Sequence, residues 1–195
     1  MRHLGPPRER PGFADAADAL LRGESPGLPE PRVQFLRWLG ANRPVAFHGS
    51  PRDDLDELST ERRSTDTTDW GNQAAVYATA DPVWAIYFAV LRRDHGWTGT
   101  RNASLRIGRR RVYFFAHNKG SESPDRFGPG TLYLLPPDTF EAQPSVLGID
   151  PSHLVSKLPV RPLARIAVTP DDFPFRDRLT YYTEGERIWV TMLRP

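Results

Sequence analysis

The feature that most restricts the fold of this chain is an apolar run, Val83 to Leu91, which directly follows a short strand-like segment. Asp81 is a residue type that caps helix N-termini, and Pro82 suits the first helical position, so the run is predicted to be a helix. A helix that is apolar nearly all round has to be buried on most of its faces. The rest of the chain must therefore cover it.

Short strand-like runs bounded by turn residues occupy most of the chain from Pro44 onward, and they are the elements that can provide this cover. Earlier in the chain, apolar spacing predicts two helices. Many strands with few helices favour an α+β fold. The predicted helices are 14–21, 31–39 and 83–91; the predicted strands are 44–47, 74–78, 112–116, 131–135, 154–156, 165–168 and 187–193; residues 53–61 are predicted to be a short acidic helix or turn, and 62–72 a long loop.

A length of 195 residues with 38% hydrophobic content suits one domain with a proper core. We expect residues 1–12, rich in Pro, Gly and Arg, to be a disordered tail. Residues 13–43 are expected to form an N-terminal helical appendage, and residues 44–195 the main domain.

The cellular compartment is predicted from what the sequence lacks. No apolar run reaches the ~18 residues needed to cross a bilayer, and the first residues have no apolar stretch typical of a secretory signal. There is no cysteine, which excludes disulfides and thiolate metal sites. These features favour a cytoplasmic protein without membrane contact.

The charge balance gives little reason to expect a nucleic-acid partner, because 26 basic and 24 acidic residues leave a net charge of only +2. One local exception is a cluster of arginines that could contact phosphates. A solvated hairpin is the more ordinary interpretation of such a cluster. Its members are Arg106, Arg109, Arg110 and Arg111.

Two short segments carry the functional signal. Residues 47–50 read Phe-His-Gly-Ser, and residues 76–81 read Val-Tyr-Ala-Thr-Ala-Asp and run into the apolar helix. His48, Tyr77 and, further along the helix, Tyr87 follow the order and approximate spacing of a known motif. The chain thereby resembles the ADP-ribosyltransferase superfamily, specifically the branch of diphtheria toxin and the poly(ADP-ribose) polymerases.

The resemblance implies a split β-sandwich core that binds NAD as a co-substrate. In such a site the His48 ring bonds a ribose hydroxyl and Ser50 bonds the carboxamide oxygen. The backbone of Gly49 holds the nicotinamide amide, since a residue without Cβ lets a ligand come close. Tyr77 and Tyr87 stack on the two faces of the pyridinium ring.

The resembled family also has a Glu on a late core strand, which stabilises the positive charge that develops on the ribose. By strand order His153 stands at this position, whereas Glu186 has the right chemistry but opens a later predicted strand. An imidazole stabilises a cation poorly, so His153 at this position implies weak or absent activity. Both residues stay candidates, and Glu141, in a Pro-flanked turn, has little weight.

The sequence therefore predicts an NAD-dependent mono-ADP-ribosyltransferase that cleaves the nicotinamide–ribose bond. The acceptor is open: a protein, a nucleic acid or a small molecule. Two alternatives are an NAD- or ADP-ribose-binding module without catalysis, and an RNA 2′-phosphotransferase-like enzyme that would use the arginine cluster. No metal is expected, since His3, His95 and His117 lack metal-ligand spacing, and no Gly-rich phosphate-binding loop is present.

Overall fold

A computed structural model describes residues 2–61, 73–94, 96–108, 110–123, 125–145 and 149–193. These residues form two mostly antiparallel sheets with few helices, so the predicted α+β class is confirmed. The helices are α1 (Phe13–Leu21), α2 (Arg32–Asn42), α3 (Pro82–Val90) and α4 (Ile188–Leu193), with 3₁₀ turns at Pro170–Asp172 and Arg176–Arg178. The strands are β1 (Arg2–Leu4), β2 (Ala46–Ser50), β3 (Val76–Thr79), β4 (Thr100–Ile107), β5 (Arg110–Asn118), β6 (Gly130–Leu135), β7 (Glu141–Ala142), β8 (Ile149–Asp150), β9 (His153–Ser156), β10 (Ala164–Val168) and β11 (Thr180–Tyr182).

One sheet, here the site sheet, has the strand order β10-β6-β2-β3-β9-β7, and each pair of neighbours is antiparallel. The second sheet, here the back sheet, has the order β1-β5-β4-β8. Strand β11 pairs in parallel with β5, beyond the residues that β1 pairs. The site sheet therefore places the His48 strand, β2, directly beside the Tyr77 strand, β3.

Helix α3 lies between the two sheets. Its Tyr87 ring contacts Phe115 of the back sheet at 4.6 Å between ring centroids. On the other side the helix packs on β2 and β6 at positions where these strands have glycine: a Cβ on Gly130 would lie 2.0 Å from the Ala89 carbonyl oxygen. Two predictions for this helix are confirmed, since α3 is buried and the Asp81 side chain accepts a hydrogen bond from the backbone N–H of its first turn.

The N-terminal helices share their core with α3 and the sheets. Phe13 of α1 packs edge-on against Phe35 of α2 at 5.3 Å, and both side chains are fully buried in the same apolar cluster as Leu132 of β6. The segment 13–43 is therefore packed into the main core. Residues 2–4, expected in the disordered tail, form β1, because the edge of β5 offers backbone hydrogen-bonding partners.

Two other predictions differ from the structure, and one long strand was not predicted. Residues 187–193, predicted as a strand, contain helix α4. Residues 53–61 form no helix, and Leu58 instead makes a β-bridge to Val160. Strand β4 was not predicted, because polar residues break its apolar alternation; it pairs with β5, which follows it directly in the chain, and with β8. The predicted loop 62–72 lies outside the described residues. Among the described helices none is long and apolar enough to span a membrane.

Candidate nicotinamide-binding site

The site lies where β2 and β3 separate. β2 pairs with β6 along its whole length, but its ladder with β3 consists of one described residue pair, Phe47 with Thr79. Beyond that pair the imidazole of His48 bridges the strands, with Nδ1 2.7 Å from the carbonyl oxygen of Tyr77. A carbonyl can only accept, so Nδ1 carries a proton, and in the neutral form of the ring Nε2 is the acceptor nitrogen.

The structure thus brings His48 and Tyr77 together as predicted, but their side chains leave the sheet on opposite faces. Side chains alternate along a strand, so His48 lies on the face of Tyr133, whose ring is 6.3 Å from the imidazole. Tyr77 lies on the face that carries α3, and its hydroxyl bonds the backbone N–H and C=O of Gln73 at 2.6 and 3.0 Å. A ligand that touches both residues must enter at the split between the strands.

Gly49 and Ser50 have roles different from those expected. The missing Cβ of Gly49 makes room for α3 rather than for a ligand, since a Cβ there would lie 1.8 Å from the Ala85 carbonyl oxygen. Ser50 is buried, and its hydroxyl accepts a hydrogen bond from the Arg52 N–H at 3.2 Å in a local turn. For ligand binding, Gly49 can therefore contribute its backbone, whereas Ser50 is part of the turn.

Tyr87, expected to be the second face of the nicotinamide clamp, is a core residue. Its side chain is fully buried between Phe115 and Phe173, and its hydroxyl lies 2.6 Å from Thr100 Oγ1 and 3.0 Å from His117 Nε2. Burial raises the pKa of Tyr87 above its ordinary value. Burial, together with the nearby Arg126, lowers the pKa of His117 to about 4. The ring of Tyr87 has no face open to a ligand.

The next residue along the helix, Phe88, is half-exposed and was missed in the sequence. It lies one turn from Trp84, also half-exposed, and the two rings meet edge to face at 4.8 Å. The guanidinium of Arg93 lies 5.1 Å from the Phe88 ring centroid. Since α3 is apolar nearly all round, no amphipathic pattern marks which of its aromatic residues face outward.

His153, the first residue of β9, lies beside Trp84. It opposes Thr79 in the β3–β9 ladder, and its ring stacks on Trp84 with centroids 4.6 Å apart and planes inclined by 27°. Its Nδ1 lies 3.0 Å from the side-chain oxygen of Gln143. His153, Trp84, Phe88 and Tyr77 therefore share the face of the site sheet that carries α3, and we call this group the aromatic edge.

Glu186 lies elsewhere. Its carboxylate accepts a hydrogen bond from Thr191 Oγ1 at 2.7 Å, and its carbonyl accepts one from Arg101 Nη2 at 2.6 Å, which fixes it to the start of α4. Arg101 and its neighbour Asn102 point to opposite faces of β4. Asn102 accepts from the Trp84 indole on the inner face, so Glu186 lies over the outer face of the back sheet, away from the aromatic edge.

A different carboxylate is in register with the aromatic edge. Glu141 of β7 opposes Val155 of β9, and Val155 opposes Tyr77 of β3, so the three side chains share one face of the site sheet. Glu141 is exposed. It has little weight in the sequence because a two-residue edge strand leaves almost no local pattern, and its pairing with β9 is visible only in the structure.

Two members of the arginine cluster bind other residues of the protein. Arg106 forms an ion pair with Asp150 at 2.7 Å, and Arg111 donates to the Ser104 and Ser152 hydroxyls at 3.2 and 2.6 Å. Arg110 is exposed, and Arg109 lies outside the described residues. Nucleic-acid contact through this cluster stays a prediction, with fewer arginines directed outward than the sequence suggests.

The described residues contain no group of three or more His, Cys, Asp or Glu side chains that could hold a metal ion. No protein-family model, curated protein or solved structure matches the chain.

Proposed function

We propose that this chain is an NAD-dependent mono-ADP-ribosyltransferase with the split β-sandwich core of that superfamily. The observation that carries the proposal is the His48 bridge to the Tyr77 carbonyl, at the point where β2 and β3 separate beside an aromatic edge. The bridge ties the His48 side chain to the backbone of the Tyr77 strand. In the proposal, NAD binds in a cleft beyond this bond, with polar backbone on one side and the aromatic edge on the other.

In the proposed complex the nicotinamide ring lies in this cleft. The Gly49 backbone bonds the carboxamide, and Nε2 of His48, the acceptor nitrogen, accepts a hydrogen bond from a ribose hydroxyl. Tyr77 forms one aromatic wall, and Phe88 takes the place that we first expected for Tyr87. A cationic pyridinium gains from contact with electron-rich ring faces, so these walls favour NAD over free nicotinamide.

The proposed reaction breaks the bond between nicotinamide and ribose. The bonding electrons leave with nicotinamide, the ribose carbon becomes positively charged, and a nucleophile of the acceptor forms the new bond and loses its proton. The protein has to hold the ribose and stabilise the positive charge. His48 contributes the first function.

For the second function the site offers His153 and Glu141. His153 lies in the aromatic edge, but an imidazole stabilises a cation poorly. Glu141 is the carboxylate that shares a sheet face with Tyr77, two strands away. We therefore assign to Glu141 a modest electrostatic contribution through solvent, which is consistent with a slow transferase rather than a fast one.

The experiment that tests the proposal follows two labels of NAD, one on the adenylate and one on nicotinamide, with a cell lysate as acceptor. The proposal expects nicotinamide release together with transfer of the adenylate label to an acceptor. The His48→Ala variant should lose both, whereas His3→Ala, a histidine in β1 on the back sheet, should keep both. Neither NAD binding nor nicotinamide release by the wild-type protein would overturn the proposal.

A second candidate is a module that binds NAD or ADP-ribose without cleaving it. The observation that favours it is that neither expected catalytic residue supplies a carboxylate at the aromatic edge. The residue there is His153, and Glu186 lies over the far face of the back sheet. Saturable NAD binding with no release of labelled nicotinamide would select this candidate. Its binding residues would be the same.

A further inference from the structure

The residue before His153 has an unusual backbone conformation. Ser152 has a φ of 56°, which puts a non-glycine residue in the left-handed region, a conformation that usually needs support from its surroundings. Its N–H donates to Asp150 Oδ1 at 2.7 Å, and its carbonyl accepts from Ala80 N at 3.0 Å and from Thr79 Oγ1 at 2.9 Å. These bonds fix the direction in which β9 starts, and with it the position of the His153 ring.

The Ser152 side chain is held by an arginine from the other sheet. Arg111 of β5 donates through Nη1 to the Ser152 hydroxyl at 2.6 Å, and the same nitrogen lies 3.2 Å from Ser104 Oγ. The Ser104 hydroxyl in turn donates to Asp81 Oδ2, and Tyr113 donates to Asp81 Oδ1 at 3.2 Å.

The charge of Arg111 lies close to a buried acidic residue, to which the Ser104 hydroxyl connects it. Asp81 is almost fully buried, and burial raises its pKa, while the positive charge of Arg111 acts in the opposite direction. Asp81 also caps α3, the helix that carries Trp84. A single network thus ties together the helix that carries one ring of the His153–Trp84 stack and the turn that places the other.

We propose that Arg111 is a positioning residue: through the Ser152 hydroxyl it fixes His153 on Trp84 and so keeps the aromatic edge in the geometry that binds NAD. The catalytic consequence rests on the proposed function, whereas the positioning itself does not. Arg111 acts from behind the cleft and does not contact the substrate. Its assignment replaces the nucleic-acid contact predicted from the sequence for this one arginine.

The positioning is tested without NAD by NMR of the histidine rings. A ring that stacks on an indole is shifted upfield by the ring current, and the His153 signals are identified by their loss in His153→Gln. Arg111→Met should move the His153 signals downfield, toward the position of an unstacked histidine, while the signals of His117 in the core stay in place. Arg110→Met, an exposed arginine on the same strand, is the matched control and should move neither.

Two milder variants keep the test decisive if Arg111→Met fails to fold. Ser152→Gly removes the hydroxymethyl group that Arg111 binds and tolerates the left-handed backbone, and it should move the His153 signals in the same direction. Arg111→Lys keeps the charge beside Asp81 and should restore part of the shift. Once Ser152→Gly is present, adding Arg111→Met should give little further change. Unchanged His153 signals in a folded Ser152→Gly protein would overturn the proposal.

The catalytic arm uses the same variants with labelled NAD. In Ser152→Gly the displaced His153 ring should lower kcat for nicotinamide release by about tenfold. KM should change by less than about threefold, since a displaced ring acts mainly on the geometry of the reacting groups. A wild-type protein that neither binds nor cleaves NAD removes the proposed function but leaves the NMR result to decide the positioning. An intact kcat in a Ser152→Gly protein whose His153 has moved would overturn the link to NAD.

Discussion

Two Tyr–His pairs in this protein use the same residue types in opposite ways. Tyr87 and His117 meet at 3.0 Å through their side chains, are both fully buried, and lie among aromatic rings of the back sheet. His48 and Tyr77 meet at 2.7 Å through a ring nitrogen and a backbone carbonyl, and both side chains are half-exposed. We call these the core pair and the cleft pair.

The comparison shows that residue type alone does not tell whether a Tyr–His pair belongs to the core or to a binding site. The core pair has no open ring face, so its contribution is to stability. The cleft pair leaves its rings partly uncovered because the hydrogen bond uses the backbone of Tyr77 and not its ring. The predictions below test this division.

The largest effect on stability is expected at Gly49, which lies beside His48 and packs against α3. Gly49→Ala puts a Cβ 1.8 Å from the Ala85 carbonyl oxygen of α3, so the helix has to move. We expect a loss of at least about 3 kcal/mol in the free energy of unfolding, measured by urea denaturation. Gly27→Ala, at a position with no atom within 4 Å, is the control and should change stability little. Equal stability of the two variants would show that α3 does not pack on Gly49.

The core pair predicts a pH dependence of stability. The pKa of His117 is about 4 when folded and about 6.5 when unfolded, so the unfolded chain binds more protons between these values. Stability contributed by neutral His117 is therefore present above pH 6.5 and is lost as the pH falls toward 4, by up to roughly 3 kcal/mol.

Urea denaturation at several pH values compares wild type with His117→Gln. The variant should be less stable at neutral pH and should show a flatter decline on acidification. His48→Gln, which alters the cleft pair, should retain the wild-type slope. If the stability of His117→Gln fell with pH as steeply as that of the wild type, the loss of stability would come from other groups.

The cleft pair predicts an effect on NAD rather than on folding. His48→Ala should lower nicotinamide release by about 100-fold, because the ribose loses a fixed hydrogen-bond acceptor and the cleft loses its bridge. The melting temperature should change less than in His117→Ala. Release at the wild-type rate by a folded His48→Ala protein would remove the cleft pair from the proposed site.

A smaller effect separates Phe88 from its neighbour Tyr87. Phe88→Ala should weaken NAD binding by about tenfold, measured by calorimetry, since it removes one aromatic wall. Tyr87→Phe removes a buried hydroxyl with two partners and should cost about 1 kcal/mol of stability without changing NAD affinity. If Tyr87→Phe weakened NAD binding and Phe88→Ala did not, Tyr87 rather than Phe88 would be the residue that contacts nicotinamide.

The smallest effect is expected for Glu141→Gln. An exposed carboxylate acts on a developing positive charge through water, so kcat for nicotinamide release should fall by only about fivefold while the Kd for NAD is kept. Glu186→Gln, on the other side of the back sheet, should leave kcat unchanged. A larger loss in Glu186→Gln than in Glu141→Gln would contradict the proposed site.

The parts of the fold that could be predicted from the sequence are those encoded locally. The Asp81–Pro82 start of α3 is an example, because the cap and its N–H partner are two residues apart. Strands β4 and β11 were missed, since both depend on pairing with β5 and have weak local patterns.

The candidate site shows the same limit. His48 and Tyr77 were predicted to lie together, and they do, because adjacent strands carry them. The choice between Tyr87 and Phe88 depends on the rotation of a helix that is apolar nearly all round, and its sequence has no polar face to define that rotation. Gly49 was predicted to let a ligand come close, but the sequence does not say whether a helix or a ligand approaches it, and the structure has helix α3 there.

The pairing of β5 has a consequence for synthesis of the chain. Its one edge is shared by β1, which covers residues 111–113, and β11, which covers residues 116–118. The ribosome delivers the first of these partners before β5 itself and the second only some sixty residues later. Until residues 180–182 emerge, residues 116–118 have no partner on that edge, and an unpaired strand edge is a template on which another chain can add a strand.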